Sequence, residues 1–132
     1  MKSQRFGIEI EMTGLTRRSA ALIIAKHFDT GFRHERGIYD TYSVCDQDGR
    51  KWKIVRDASI TPQCGNRFNY DPDYKVEVVS PICHYDDIET IQSIVRELRR
   101  NGHAKVNESC GIHIHVDASK HTARSLRNIA NI

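Results

Sequence analysis

One short stretch, Phe6-Gly7-Ile8-Glu9-Ile10-Glu11-Met12, constrains the fold more than any other. Phe6, Ile8, Ile10 and Met12 alternate with Gly7, Glu9 and Glu11, the period of a half-buried β-strand. Glu9 and Glu11 then stand ~7 Å apart along one pleat, because each residue rises ~3.4 Å. Like charges so close are costly unless a cation sits between them or water screens both. Far downstream, Ile112-His113-Ile114-His115-Val116-Asp117 repeats the design, with His113, His115 and Asp117 on one face. Two such strands predict a sheet whose open, polar face holds a divalent metal.

With 132 residues, 39% of them hydrophobic and 28% charged, the chain reads as one soluble domain with a single core. No apolar run approaches the ~20 residues of a membrane span, and the amino terminus carries no apolar signal region. A cytoplasmic protein is expected. Net charge is only +3, from 20 basic and 17 acidic residues. Arg96, Arg99 and Arg100 on one expected helix, and Arg17 and Arg18 on another, read as solvated faces. No basic stripe interleaved with aromatics points to nucleic acid. Cys45, Cys64, Cys83 and Cys110 are widely spaced and read as reduced thiols. Cys110 and His113 imitate half a zinc site, but no second Cys/His knuckle completes tetrahedral coordination.

After the first strand, Thr16 offers an N-cap, and Ala21, Ile24, Ala25 and Phe28 form a helical stripe. A helix over 16–29 closed by Gly31 is predicted, then a polar loop over 31–37. Segments 38–45 and 51–57 flank Asp48-Gly49, a hairpin signal. The acids of that turn lack the further spaced ligands of a calcium loop. Residues 60–74, rich in Pro, Asn and Asp, read as a loop or lid. Residues 74–80 read as a strand with Lys75, Glu77 and Val79 on one face. Asp86 or Asp87 then caps a second helix that buries Ile88, Ile91, Val95 and Leu98, with Gly102 as its stop. The His-x-His strand follows, and a further helix begins near Ala118. This order predicts an α+β fold, a sheet with antiparallel pairings covered on one face by two helices.

Glu77 lies among apolar, β-branched neighbours, where an acid is unexpected. Taken with Glu9, Glu11, His113 and His115 it argues for a metal or phosphate site. A mostly oxygen donor set favours Mg²⁺ or Mn²⁺, and manganese tolerates the imidazole better. A hydrolytic zinc centre is the alternative chemistry, although no His-Glu-x-x-His helix is present. Asp57-Ala58-Ser59 closes the strand of Trp52 and Ile54 at an expected sheet edge, where Asp57 and Ser59 either bind substrate or stabilise a turn. Ser80-Pro81 and Ser109-Cys110-Gly111 offer small residues and N–H groups that suit a carboxylate or phosphate.

Together, Gly7-Ile8-Glu9-Ile10-Glu11, Asp57-Ala58-Ser59, Glu77-Val78-Val79-Ser80-Pro81 and the segment from Cys110 to Asp117 resemble the amidoligase family of carboxylate–amine ligases. The resemblance covers most of the chain in the same order. It implies a curved, mostly antiparallel sheet like the catalytic domain of glutamine synthetase and glutamate–cysteine ligase, binding ATP and divalent metals on its concave face. It makes Glu9, Glu11, Glu77 and His113 the metal ligands and catalytic residues. It puts His115 and Asp117 near substrate or nucleotide, and gives Gly111 a substrate-carboxylate loop. Family members run on past the His-x-His strand, so these residues read as the N-terminal part of a catalytic domain. A homo-oligomeric partner or complementing chain would then supply the remainder.

The activity expected is ATP-dependent amide formation, through an acyl phosphate, between a carboxylate and an amine of amino-acid or peptide-like kind. Arg56 and Arg67 are the candidate cations for the transferring phosphoryl group. A metal-dependent hydrolase, or a non-catalytic domain on a ligase scaffold, are the alternatives.

Overall fold

A computed structural model describes residues 4–116. Asp117 and the helix expected from Ala118 lie outside the described residues. Strand β1 (Arg5–Met12) leads into helix α1 (Arg17–Phe28), followed by β2 (Phe32–Arg36), β3 (Thr41–Cys45) and β4 (Lys51–Val55). A two-stranded ribbon, β5 (Gln63–Cys64) with β6 (Arg67–Phe68), precedes β7 (Val76–Val79) and β8 (Cys83–His84). Helix α2 (Ile88–Gly102) and strand β9 (Ile112–Val116) complete the described residues.

The main sheet has seven strands in the order β2-β3-β4-β7-β1, with β8 and β9 also on β1. Among the described residues its strand pairings are all antiparallel. Phe6 pairs with both Cys83 and Val116, so β8 continues the β7 side of β1 while β9 takes the opposite edge. This gives the α+β, mainly antiparallel architecture that alternation predicts. Helices α1 and α2 cover the face that carries Phe6, Ile8, Met12, Val44, Trp52, Ile54, Val76 and Val78, which form the core with Ile24, Ile91 and Leu98.

Several elements differ from the expectation for identifiable reasons. Helix α1 is capped by the Thr16 hydroxyl accepting from Ser19 N at 3.1 Å, as expected. It ends at Asp29, in left-handed conformation, and Gly31 plays no part in the stop. Most of the stretch expected as a loop, Phe32–Arg36, forms strand β2. Its polar residues tolerate an outer position, and Phe32 anchors it against Tyr42 and under Arg18. The next strand begins at Thr41, because 37–40 make a turn with Gly37 and Asp40 at positive φ. Arg17 is buried, not solvated: its guanidinium donates to Asp40 (2.6 Å), Pro72 O (2.8 Å), Lys75 O (2.9 Å) and Asp73 (3.1 Å). Helix α2 turns Ile94 inward in place of Val95, which stays 38% exposed. It runs through Gly102 and stops at left-handed His103. Gly102 serves close packing, since an added Cβ would lie 2.8 Å from both Leu15 and Ile23. The four cysteines are free.

Candidate functional site

Register assembles the site on the face of the sheet opposite the helices. Residues paired across an antiparallel ladder share a face. Glu11 pairs with Glu77 across β1 and β7, and Glu9 pairs with His113 across β1 and β9. On the far side of β7, Val55 pairs with Glu77, and Asp57 follows two residues later. Strand β4 is interior, between β3 and β7, so Asp57 does not sit at a sheet edge as its sequence position suggests. Carboxylate oxygens of Glu11, Asp57 and Glu77 all lie within 4.8 Å of one another. Glu9 and the imidazoles form an outer group beside them.

Each inner carboxylate is held differently. Glu11 is buried and its Oε1 accepts from Gly111 N at 3.0 Å. Gly111 O in turn accepts from Glu11 N at 3.0 Å, and a Cβ on residue 111 would come 3.3 Å from Glu11 Oε1. The loop before β9 therefore approaches β1 as bare backbone. Asp57 Oδ1 accepts from Ser59 N at 2.9 Å and Ser59 Oγ at 2.6 Å, forming a local turn. Burial opposes its charge, yet these bonds, with hydrogen bonding to Glu77 and Glu11, hold the Asp57 carboxyl down at about 2. Glu77 goes the other way. Desolvation, its contact with Asp57, and the charges of Glu9 and Glu11 push it up to about 7. Desolvation and Asp57 also raise Glu11. Three carboxyl groups so disposed, with Glu77 and Glu11 raised and Asp57 lowered, form an oxygen donor set that fits a hard divalent cation.

The outer group is more open. Glu9 Oε1 lies 3.3 Å from His115 Nε2 and 3.6 Å from His113 Nδ1, and His113 Nε2 lies 3.9 Å from Glu11 Oε1. His113 thus spans both glutamates of the Glu-x-Glu strand.

The remaining residues singled out in the sequence divide. Arg56 donates to Ile38 O at 2.7 Å and borders a cavity of about 320 Å³ shared with Asp57 and Glu77. Arg67 lies exposed on β6 and makes no ion pair with these carboxylates among the described residues. Ser80 works as a backbone substitute: its Oγ accepts from Ile8 N at 2.9 Å and donates to Pro81 O at 2.8 Å. Asp117 lies outside the described residues. Asn107, given no role by the sequence, ties the two loops that lead into the cluster. Its Nδ2 donates to Thr61 O (2.9 Å) and Gln63 Oε1 (2.8 Å), while its Oδ1 accepts from Ser109 N at 3.0 Å. An Asn-x-Ser turn was the one available signal.

An antiparallel sheet thus presents clustered carboxylates and imidazoles on one face. Residues 2–132 match the family model described as "Putative amidoligase enzyme", and the chain belongs to that family. It is thereby placed among ligases. No curated protein and no solved structure matches the chain. Among the described residues, no helix is long and apolar enough to cross a membrane.

Proposed function

We propose that this chain carries the metal-binding part of an ATP-dependent carboxylate–amine ligase. The observation behind this reading is the convergence of Glu11, Asp57 and Glu77 within 4.8 Å, in a chain of the amidoligase family. A carboxylate does not condense with an amine at neutral pH, because resonance protects its carbon and the amine is protonated. Attack of the carboxylate oxygen on the ATP γ-phosphorus, with ADP leaving, gives an acyl phosphate. The neutral amine then attacks the acyl carbon, phosphate departs and the nitrogen loses a proton. The protein's work is positioning and charge neutralisation.

Glu11, Asp57 and Glu77 would hold Mg²⁺ or Mn²⁺, with Glu9 and His113 beside them, in a site where Glu77 surrenders its proton on binding. A cation held there would supply charge neutralisation of the triphosphate oxygens, easing attack on the γ-phosphorus. His113 lies between Glu9 and Glu11, within 3.6 Å of one and 3.9 Å of the other, and would join them at the edge of the ion's site. Gly111 N–H keeps one Glu11 oxygen pointed at its loop, fixing the direction of the other. Asp57 is added to the ligand set read from the sequence, and Arg56, beside the same cavity, is the better placed of the two candidate cations.

Thermal unfolding with Mg²⁺, ATP, both, and Mn²⁺ plus ATP tests the reading. A ligand at 100 times its Kd stabilises the fold by ~2.7 kcal/mol, or roughly 10 °C of midpoint. The expected result is a shift that needs metal and nucleotide together and is lost in Glu77→Gln. A metal shift that survives this substitution, or a nucleotide shift indifferent to metal, would sink it.

A further inference from the structure

Beside the carboxylate cluster lies a cleft of about 360 Å³, lined by Thr61, Gln63, Phe68, Asn107, Glu108 and Ser109. Two observations single it out. Its wall is aromatic where no core explains an aromatic: Phe68 is 53% exposed and stacks edge-on with Tyr70, which is 89% exposed, at 4.7 Å between ring centroids. Its rim holds Glu108, which makes no ion pair among the described residues. The cation nearest along the chain, Lys105, is committed to Gly65 O at 2.6 Å and Asn66 Oδ1 at 2.8 Å.

The floor is rigid. Gln63 and Phe68 pair across the β5–β6 ribbon and so share one face of it. Asn107 and Ser109 fasten that ribbon to the loop before β9, with Ser109 Oγ accepting from Thr61 N at 2.8 Å. These bonds engage Gln63 Oε1, Ser109 Oγ and the Asn107 amide, and Glu108 and the Phe68 ring line the cleft beside them. A cleft lined by both a carboxylate residue and an aromatic ring suits an ammonium on an apolar stem, through charge and cation–π attraction. The loop that borders the cleft also reaches the carboxylate cluster: Ser109 and Gly111 are separated by at most ~7 Å of chain, and Gly111 N bonds Glu11.

We propose that this cleft anchors the acceptor substrate, and that the acceptor is a diamine or diamino acid whose non-reacting ammonium sits between Glu108 and Phe68. Its other amine then extends past Ser109 toward the carboxylates. This rests on the ligase reading given above, but its test does not need metal or ATP.

The probe is N-acetyl-lysine methylamide, titrated against the ¹⁵N-labelled chain and compared with its norleucine counterpart, which lacks the ammonium. The lysine compound is expected to move the amide signals of Thr61, Asn107 and Ser109 at millimolar concentration, and the norleucine compound to bind at least about tenfold more weakly. Glu108→Gln should cost a similar factor, and Phe68→Leu about threefold. Both side chains are exposed, so neither variant threatens the fold. Equal binding of the two compounds, unchanged affinity in Glu108→Gln, or no shifts in these loops would each overturn the proposal. Mn²⁺ titration of the same samples separates the two ideas. Loss of the Glu77-dependent metal site overturns the ligase reading, whereas failure of the amine titration overturns only the anchor.

Discussion

Replacing Glu77 by Gln should stabilise the metal-free protein while abolishing its response to metal. Glu77 faces Asp57, Glu9 and Glu11 from a half-buried position, and its carboxyl is pushed from 4.5 to about 7. At full weight that displacement corresponds to about 3 kcal/mol. Solvent screening at a group this open reduces it to about 1–2 kcal/mol. The sign follows from proton binding. Below pH 4.5 the carboxyl is protonated in folded and unfolded chains alike and contributes nothing. Between 4.5 and about 7 only the folded chain keeps the proton, so stability falls as pH rises, and above about 7 the whole penalty is present. Asp57 acts in a separate window, its contribution being lost only as pH falls from 3.8 through about 2. Glutamine keeps an N–H donor for Asp57 and removes the charge. The midpoint of Glu77→Gln should therefore rise by about 4–8 °C at pH 8 without metal and stay unchanged near pH 4.5. Differential scanning calorimetry at both pH values, with and without Mn²⁺, reads all of this. A variant less stable than the parent at pH 8, or equally shifted at both pH values, would refute the account.

Three other substitutions probe separate parts of the structure. Gly14→Ala should destabilise by more than about 2 kcal/mol in urea titration, because Gly14 sits at φ +88° and a Cβ would lie 2.6 Å from His103 O. Arg17→Met should cost about 3 kcal/mol, seen as a midpoint fall of about 10 °C, by stripping Asp40, Asp73 and two carbonyls of their shared donor. Gly111→Ala should leave the unfolding midpoint within about 2 °C of the parent but weaken Mn²⁺ binding in isothermal titration, because its methyl presses on the Glu11 carboxylate at 3.3 Å.

What the sequence reveals and conceals follows one physical line. Strand β1 is legible because it has one face in the core and one in the open, and β9 because its partly buried Ile114 and Val116 alternate with exposed His113 and His115. Helix α1 announces its own cap at Thr16. Strand β2 is not legible, since Phe-Arg-His-Glu-Arg carries no alternation and owes its pairing to Tyr42 and Val44 opposite. The charge of Arg17 conceals its burial, which depends on acceptors 23 to 58 residues away. The site divides in the same way. Glu9, Glu11, Glu77 and His113 show themselves by being polar within apolar strands. Asp57 looks like an ordinary Asx turn and joins them only because β4 pairs with β7 in the register that sets Val55 against Glu77. Registers between distant strands are not written in local pattern.

The central place of β1 also shapes how the protein comes into being. Glu11 meets the Gly111 amide, and Glu9 meets His115, across separations of 100 and 106 residues. The strand that bears Glu9 and Glu11 is therefore synthesised long before β9, one of the three strands it pairs with. Closing such loops comes at an entropic cost that slows folding. Until β9 arrives, the growing chain displays an unpaired central edge with two glutamates on its open face. Those charges resist lateral strand addition, so the residues that later serve the site also guard the nascent sheet against its own kind.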